Sequence, residues 1–216
     1  RLSVDTCFEH LAVCLTRNGV CLANYYSSCN RKNASIIFGV IDDLLKNAEI
    51  KLADIDAYVV NRGPGSYTGV RIAMSVVKTF AQVHKKPVVP VNSLELLAAQ
   101  ISRSKEDFPV LLNCTRSEVF HARYSIFDEK PKAQTPIQLT SLEIFLENSK
   151  DKEVVLHRVN PERRKVEPLF EKLKLLPLDY PIADAMLLDR LGEHKLQSCE
   201  IDFNEPVNPL YVKRDV

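Results

Sequence analysis

The order in which strand and helix patterns follow one another constrains the fold of this chain most. The first half predicts strands at 2–7, 10–17, 20–28, 56–60 and 87–91, and helices at 33–48, 68–83 and 93–101. Asn18-Gly19, between the second and third strands, is the strongest short signal for a hairpin turn. Hairpins combined with helical crossovers predict a mixed sheet with helices on its faces.

The second half repeats the order of elements without repeating the sequence. It predicts strands at 109–114, 118–127, 135–140 and 152–157, and helices at 141–149, 161–173 and 181–192, the last ending at Gly192. A doubled β-β-β-α-β-α unit predicts two similar α/β domains facing a cleft, as in actin-like and ribonuclease-H-like proteins. We expect domains at 1–92 and 93–199, a polar connection within 92–108, and a tail at about 200–216 that packs back on the first domain.

Composition and charge exclude several classes of protein. The formal net charge of +1 gives no overall attraction to nucleic acid or membranes. No apolar run approaches the roughly 20 residues of a membrane span, and no secretory pattern opens the sequence. None of the six cysteines forms a CxxC pair, so we interpret them as small, buried, reduced thiols. These features predict a cytoplasmic protein without a membrane partner.

The stretch RGPGSYTG, residues 62–69, holds three of the six glycines between a strand and a helix. Its spacing fits neither the Rossmann GxGxxG nor the Walker loop. Free backbone N–H groups at the helix start, together with two hydroxyls, could hold an anion; alternatively, the glycines only permit a tight strand-to-helix turn. The residues predicted to face a phosphate in the first case are Asp5, Thr6, Gly65, Ser66, Thr68 and Gly69.

The same stretch carries a resemblance to a known family. NRGPGSYTGVRI, at 61–72, closely resembles the signature of the bacterial TsaB family. Further similar segments are VDTC at 4–7, PVVPVNSLELLA at 87–98, NCTRSEVFHARY at 113–124 and PLYVKR at 209–214. The departures from the family pattern are Cys7 for the usual Ser, Asn113 for Asp, and Ala73 and Thr79 for glycines.

This resemblance implies an actin-like fold and a place in the machinery that makes N6-threonylcarbamoyladenosine in tRNA, next to the anticodon. The TsaD-type paralogue is the catalytic partner and carries a metal-binding HxxxH, and a TsaE-type ATPase completes the complex. The resemblance further implies a dimerisation subunit with no catalytic residue, metal or cofactor of its own, so that ATP and metal are bound by partner subunits.

The sequence also lacks the local motifs expected of a metal-dependent or ATP-dependent enzyme. No two of its five histidines lie four residues apart, so HxxxH and HExxH are both missing. The first strand ends in Asp5-Thr6-Cys7, where an actin-like ATPase has Asp-x-Gly to approach the phosphates. Two basic clusters, in 158–165 and at 213–214, lack interleaved aromatic residues, so we expect only indirect contact with tRNA.

The helices at 33–48 and 68–83 have apolar arcs wider than one sheet requires. The surplus could be covered within the chain, or by a partner that completes a four-helix interface. The resemblance favours a heterodimer with the TsaD-type paralogue, and a homodimer when the chain is alone. The predicted interface residues are Ile37, Ile41, Leu44, Val70, Ile72, Met74, Val76, Val77 and Phe80, and Ile41→Asp is expected to break binding.

Two other functions remain open at this stage. One is an actin-like phosphotransferase that binds Mg-ATP between Asp5, the 62–69 loop and the second domain. The other is a glycoprotease-like peptidase, against which the missing metal motif counts.

Overall fold

The computed structural model describes residues 1–8, 10–27, 33–115, 117–149, 152–157, 173–179, 184–198 and 205–213. The chain divides into two compact units. The first unit comprises residues 1–93 and 184–210, and the second comprises residues 94–183 and 211–216.

The first unit is a five-stranded mixed sheet with helices on both faces. Its strands are β1 (Leu2–Asp5), β2 (Leu11–Arg17), β3 (Val20–Ser27), β4 (Tyr58–Asn61) and β5 (Val88–Val91), in the order β3-β2-β1-β4-β5. The pairs β3-β2 and β2-β1 are antiparallel, and the pairs β1-β4 and β4-β5 are parallel. The predicted hairpin is confirmed, because Asn18 and Gly19 both have positive φ between the antiparallel β2 and β3.

Successive side chains of β1 point to opposite faces of the sheet, and each face packs against different helices. Leu2 and Val4 of β1 face the main core cluster, into which α1 (Asn33–Asn47) and α2 (Tyr67–His84) pack. The intervening Ser3 points to the opposite face, where it meets α5 (Ala185–Gln197). The sheet therefore separates the apolar layer under α1 and α2 from a second layer under α5, which includes Ser3.

Helix α5 corrects two expectations from the sequence. It belongs to the first unit, although its position in the chain suggested the second, because Asp189 binds Arg1 at 2.7 Å and accepts a hydrogen bond from Ser3 Oγ at 2.8 Å. Gly192 does not end the helix but lies within it. A Cβ at Gly192 would stand 2.5 Å from Val59 Cγ2, so the glycine is required by close helix–sheet packing rather than by a cap.

The second unit contains the other mixed sheet. Its strands are β6 (Lys105–Asn113), β7 (Glu118–Phe127), β8 (Lys130–Ala133), β9 (Gln138–Ser141), β10 (Glu153–His157) and β11 (Lys174–Leu175), and its helices are α3 (Ser93–Ala98), which begins at the unit boundary, and α4 (Leu142–Asn148). The order is β11-β10-β6-β7-β8, with β9 also paired to β7. The sheet is mixed, because β6 pairs with β10 in parallel and with β7 in antiparallel orientation.

The second unit differs in detail from the predicted β-β-β-α-β-α order. Four strands precede α4, since the sequence pattern missed β8. The hairpin between β7 and β8 turns at Asp128 and Glu129, both with positive φ, and neither residue is the glycine or asparagine that signals such a turn. Residues 161–172 of the predicted helix at 161–173 lie outside the described residues.

Within the ranges described above, no helix is long and apolar enough to cross a membrane.

Candidate functional site

The glycine loop is packed against the backbone that follows β1. A Cβ at Gly69 would stand 1.8 Å from Thr6 O, and one at Gly65 would stand 2.4 Å from Cys7 O. No side chain fits at those distances, so both positions require glycine. The loop glycines therefore serve the contact between two segments of the first unit.

Several amide N–H groups around this contact already have partners within the protein. Ser66 N donates to Cys7 O at 2.7 Å, and Cys7 N donates to Asp5 Oδ1 at 2.7 Å. Ser66 is the N-cap of α2, and its Oγ accepts from Gly69 N at 3.2 Å. The capping that a bound anion would provide at this helix start is thus partly supplied by the chain itself.

Asp5 is a fully buried carboxylate within a polar network. Besides Cys7 N, it accepts a hydrogen bond from Asn61 Nδ2 at 3.0 Å, and His10 Nε2 lies 3.7 Å from its Oδ2. Asn61 Oδ1 accepts from Ser93 Oγ at 2.9 Å, which extends the network to another residue of the first unit. Burial opposes ionisation of Asp5, but His10, Asn61 and the Cys7 amide outweigh it and lower the pKa of the carboxyl.

These contacts sort the predicted phosphate-facing residues into two sets. Asp5 and Thr6 are buried, and Thr6 Oγ1 donates to Gly69 O at 2.5 Å. Ser66 and Thr68 are exposed at the loop surface. The role of the six residues toward a phosphate stays a prediction.

An apolar groove lies between α1 and α2 on the surface of the first unit. Its volume is about 460 Å³. Phe38 and Tyr67, each 57% exposed, stand at the groove, and the edge of Phe38 meets the ring of Phe80 at 6.2 Å between centroids. The Arg71 guanidinium lies 4.0 Å above the Tyr67 ring. The lining residues are Ala34, Ile37, Phe38, Tyr67, Thr68, Arg71, Ile72, Ser75, Val76 and Thr79.

Most of the predicted interface residues are buried in the first unit, and three of them, Ile37, Ile72 and Val76, also line the groove. Seven of the nine are buried in the main core cluster of the first unit: Ile37, Ile41, Leu44, Val70, Met74, Val76 and Val77. Ile72 and Phe80 are half-buried beside them. The core of the first unit therefore covers most of the two apolar arcs, and the large aromatic residues left exposed at the groove are Phe38 and Tyr67.

The part of the chain that the structure describes holds no group of three or more His, Cys, Asp or Glu side chains that could coordinate a metal ion. The whole basic cluster at 158–165, and Arg214, lie outside the described residues.

Comparisons with known proteins place these features in a family. Residues 27–176 match the sequence profile described as TsaD: tRNA N6-adenosine threonylcarbamoyltransferase. The tRNA threonylcarbamoyladenosine biosynthesis protein TsaB of Bacillus subtilis is 29% identical over 152 residues, which cover 70% of this chain and 66% of that protein. The TsaB of Escherichia coli is 31% identical over 57% of this chain and 54% of its own length, so these two alignments span about two thirds and about half of the relatives.

Solved structures agree on the fold. YeaZ from Pseudomonas aeruginosa has a TM-score of 0.75 at 24% identity, and each chain is covered to 98%. A protein described as similar to peptidase YEAZ, also from Pseudomonas aeruginosa, gives the same TM-score at 22% identity.

Two mixed sheets, with the strand order of the first unit and these structural neighbours, define an α/β protein of the actin-like, ribonuclease-H-like fold, which confirms the predicted class. The glycine loop and the sequence matches narrow the class further. The chain belongs to the TsaD-type threonylcarbamoyltransferase family and, within it, to the TsaB tRNA threonylcarbamoyladenosine biosynthesis proteins.

Sequence reasoning missed two parts of the site. His10 and Asn61 contact Asp5 from separate strand ends, and no spacing in the sequence marks that meeting. The exposed aromatic pair at the groove was missed because periodicity gives the direction of a side chain but not whether the sheet covers it. Phe38 lies on the apolar arc of α1, and only its exposure distinguishes it from Ile37.

Proposed function

We propose that this chain is a non-catalytic scaffold of the enzyme complex that makes threonylcarbamoyladenosine in tRNA. It binds a TsaD-type catalytic paralogue through the groove between α1 and α2, a TsaE-type ATPase joins the complex, and tRNA contacts this chain only indirectly. The complex belongs in the cytoplasm, where cysteines are mostly reduced and any disulfide is usually transient.

The observation that carries this proposal is the exposed apolar groove. Large aromatic side chains standing in water at a concave apolar surface mark protein–protein contact sites more often than isolated exposed residues do. Phe38 is held from below by Phe80, and Tyr67 is held by Arg71, so neither ring needs to reorganise greatly on binding. A helix pair from the partner would complete a four-helix interface over this groove.

The contacts of the glycine loop and of Asp5 favour a scaffold protein over a phosphotransferase. The turn after β1 has Cys7, not glycine, and its backbone oxygen accepts from Ser66 N. Asp5, the residue that would face Mg-ATP in an actin-like enzyme, is buried and bonded inside the unit. Tight Mg-ATP binding by the chain alone would contradict this interpretation.

Reconstitution tests the whole proposal. tRNA, threonine, bicarbonate, ATP and the other pathway proteins are incubated with and without this chain, and the modified nucleoside is measured by mass spectrometry. Product is expected only when this chain and the TsaD-type protein are both present. Equal product without this chain would remove it from the pathway, and product without the TsaD-type protein would make it an enzyme.

The variant Phe38→Asp tests the groove. We expect it to weaken binding to the TsaD-type paralogue at least about tenfold, because it puts a charge at the centre of an apolar contact. Titration by calorimetry, or co-elution on a sizing column, measures the loss. Ile41→Asp is the wrong test, since Ile41 is 2% exposed and its replacement would disturb the core.

Val83→Asp is the matched control for Phe38→Asp. Val83 is also an exposed apolar residue, 68% exposed near the end of α2, and it does not line the groove. It is expected to bind the paralogue like the wild type. Equal binding by both variants would contradict the groove as the interface, and loss of a homodimer alone would assign the groove to a second copy of this chain.

A further inference from the structure

Two cysteines lie in contact on neighbouring strands of the first unit. Cys14 on β2 and Cys21 on β3 have their sulfur atoms 3.7 Å apart, within thiol hydrogen-bond distance. Both are free thiols. Only six residues separate them, and the hairpin at Asn18-Gly19 brings them together.

An irregularity in the hairpin creates the contact. Cys14 pairs with Asn24, whereas Cys21 pairs with Thr16, and the register shifts between Leu15 and Thr16. The two cysteines are therefore diagonal neighbours rather than direct partners across the ladder. The shift lets Cys21 join the layer that holds Cys14 on the α5 side of the sheet.

The surroundings of the pair permit the sulfur atoms to move. A disulfide needs an S–S distance of about 2.05 Å, so each sulfur must rotate inward. Among the described residues, the hydrophobic cluster that holds the two cysteines is completed by the small side chains of Ala12 and Ala185. The edge strand β3 has no further strand on its outer side in the described sheet, which leaves it free to adjust.

The two thiols differ in their exposure to solvent, and this difference gives them different roles in an oxidation. Cys14 is fully buried, while Cys21 is half-buried and reachable from solvent. Burial and the neighbouring Cys21 raise the pKa of Cys14. An oxidant would therefore meet Cys21 first, with Cys14 in place to resolve the product.

We propose that Cys14 and Cys21 form a peroxide-sensitive dithiol that closes reversibly to a disulfide. The Cys21 sulfur attacks hydrogen peroxide, the O–O bond breaks, and a sulfenic acid and one water form. The Cys14 sulfur then attacks the Cys21 sulfur, and the sulfenic hydroxyl leaves with the Cys14 proton as a second water. Two cysteine thiols are oxidised, one peroxide is reduced, and a small thiol reductant reverses the reaction.

Tryptic mapping of the peroxide-treated, folded full chain tests this proposal. Arg17 lies between the two cysteines, so cleavage releases peptides 2–17 and 18–31, which remain joined only by a disulfide. We expect the joined peptides, lighter by two hydrogen atoms than the sum of the free ones, to appear after treatment with hydrogen peroxide. They are expected to separate on addition of dithiothreitol.

Variants assign the bond within those peptides, which also contain Cys7 and Cys29. Cys7→Ser and Cys29→Ser are expected to keep the joined species, and Cys14→Ala and Cys21→Ser are expected to lose it. Circular dichroism before treatment checks that each variant is folded. Failure of the wild type to form the joined species, or its persistence in either Cys14→Ala or Cys21→Ser, would overturn the proposal.

Discussion

Gly69→Ala is expected to lower the free energy of unfolding by about 3 kcal/mol or more. The new Cβ would stand 1.8 Å from Thr6 O, and because the obstacle is backbone rather than a flexible side chain, no rotamer change relieves the overlap. The start of α2 must then move away from the end of β1, breaking the bond from Thr6 Oγ1 to Gly69 O. Urea denaturation followed by circular dichroism measures the loss.

Gly39→Ala is the matched control for this substitution. Gly39 also lies in a helix of the first unit, but nothing stands within 4 Å of a Cβ built there. Alanine is favoured over glycine inside a helix, so this variant is expected to gain up to about 1 kcal/mol. If Gly69→Ala were as stable as Gly39→Ala, the loop would not be packed against β1 as described, and its glycines would again be candidates for binding an anion.

Asp5→Asn is expected to lower the free energy of unfolding at neutral pH by about 1–3 kcal/mol. Asparagine matches the size of aspartate but offers one oxygen where Asp5 uses two, toward Cys7 N and toward Asn61 Nδ2. Its amide nitrogen is itself a donor and would face either Cys7 N or Asn61 Nδ2, which are also donors. The buried network would then hold an unsatisfied donor, whichever way the new side chain is turned.

The pH dependence of this loss follows from the lowered pKa of Asp5. A carboxyl whose pKa is lower in the folded than in the unfolded protein stabilises the fold above its unfolded value, near 3.8, and this contribution disappears as pH falls through the folded pKa. Asparagine does not titrate. The difference in unfolding free energy between wild type and Asp5→Asn is therefore expected to narrow below about pH 4.

Urea denaturation of both proteins between pH 7 and pH 3 measures this difference, and other titrating groups largely cancel in it. A constant gap across that range would mean that Asp5 is not stabilised in its charged form. Asn61→Asp is a useful companion, because it places a second carboxylate beside Asp5 and is expected to reverse the sign of the pKa shift.

Gly69→Ala and Asp5→Asn test the stability of the fold, whereas the groove variants test binding to a partner. Gly69→Ala and Asp5→Asn act on the base of α2 and on the network beneath it, whereas Phe38→Asp acts on the exposed groove. Phe38→Asp is expected to leave the unfolding free energy nearly unchanged while weakening partner binding, since Phe38 is more than half exposed. Measuring both quantities separates damage to the fold from damage to an interface.

The sequence by itself determined the order of elements from β1 to β5, the hairpin at Asn18-Gly19, the strand–glycine–helix segment and the family, because each depends on residues close together in the chain. Local periodicity also placed the apolar arcs of α1 and α2 correctly. It could not tell how much of each arc the sheet would cover, so it grouped the buried Ile41 with an interface.

Only the tertiary structure decided what depends on distant residues meeting. The sequence pattern predicts that Gly192 ends a helix, and only the packing of Val59 against it shows that it lies within one. The sequence leaves two explanations for Gly69, and only the structure shows Thr6 O packed beside it. Asp5 and His10, or Asp189 and Arg1, pair across separations that carry no sequence pattern. A glycine is chosen by what approaches its missing side chain, and that neighbour is fixed by packing rather than by local sequence.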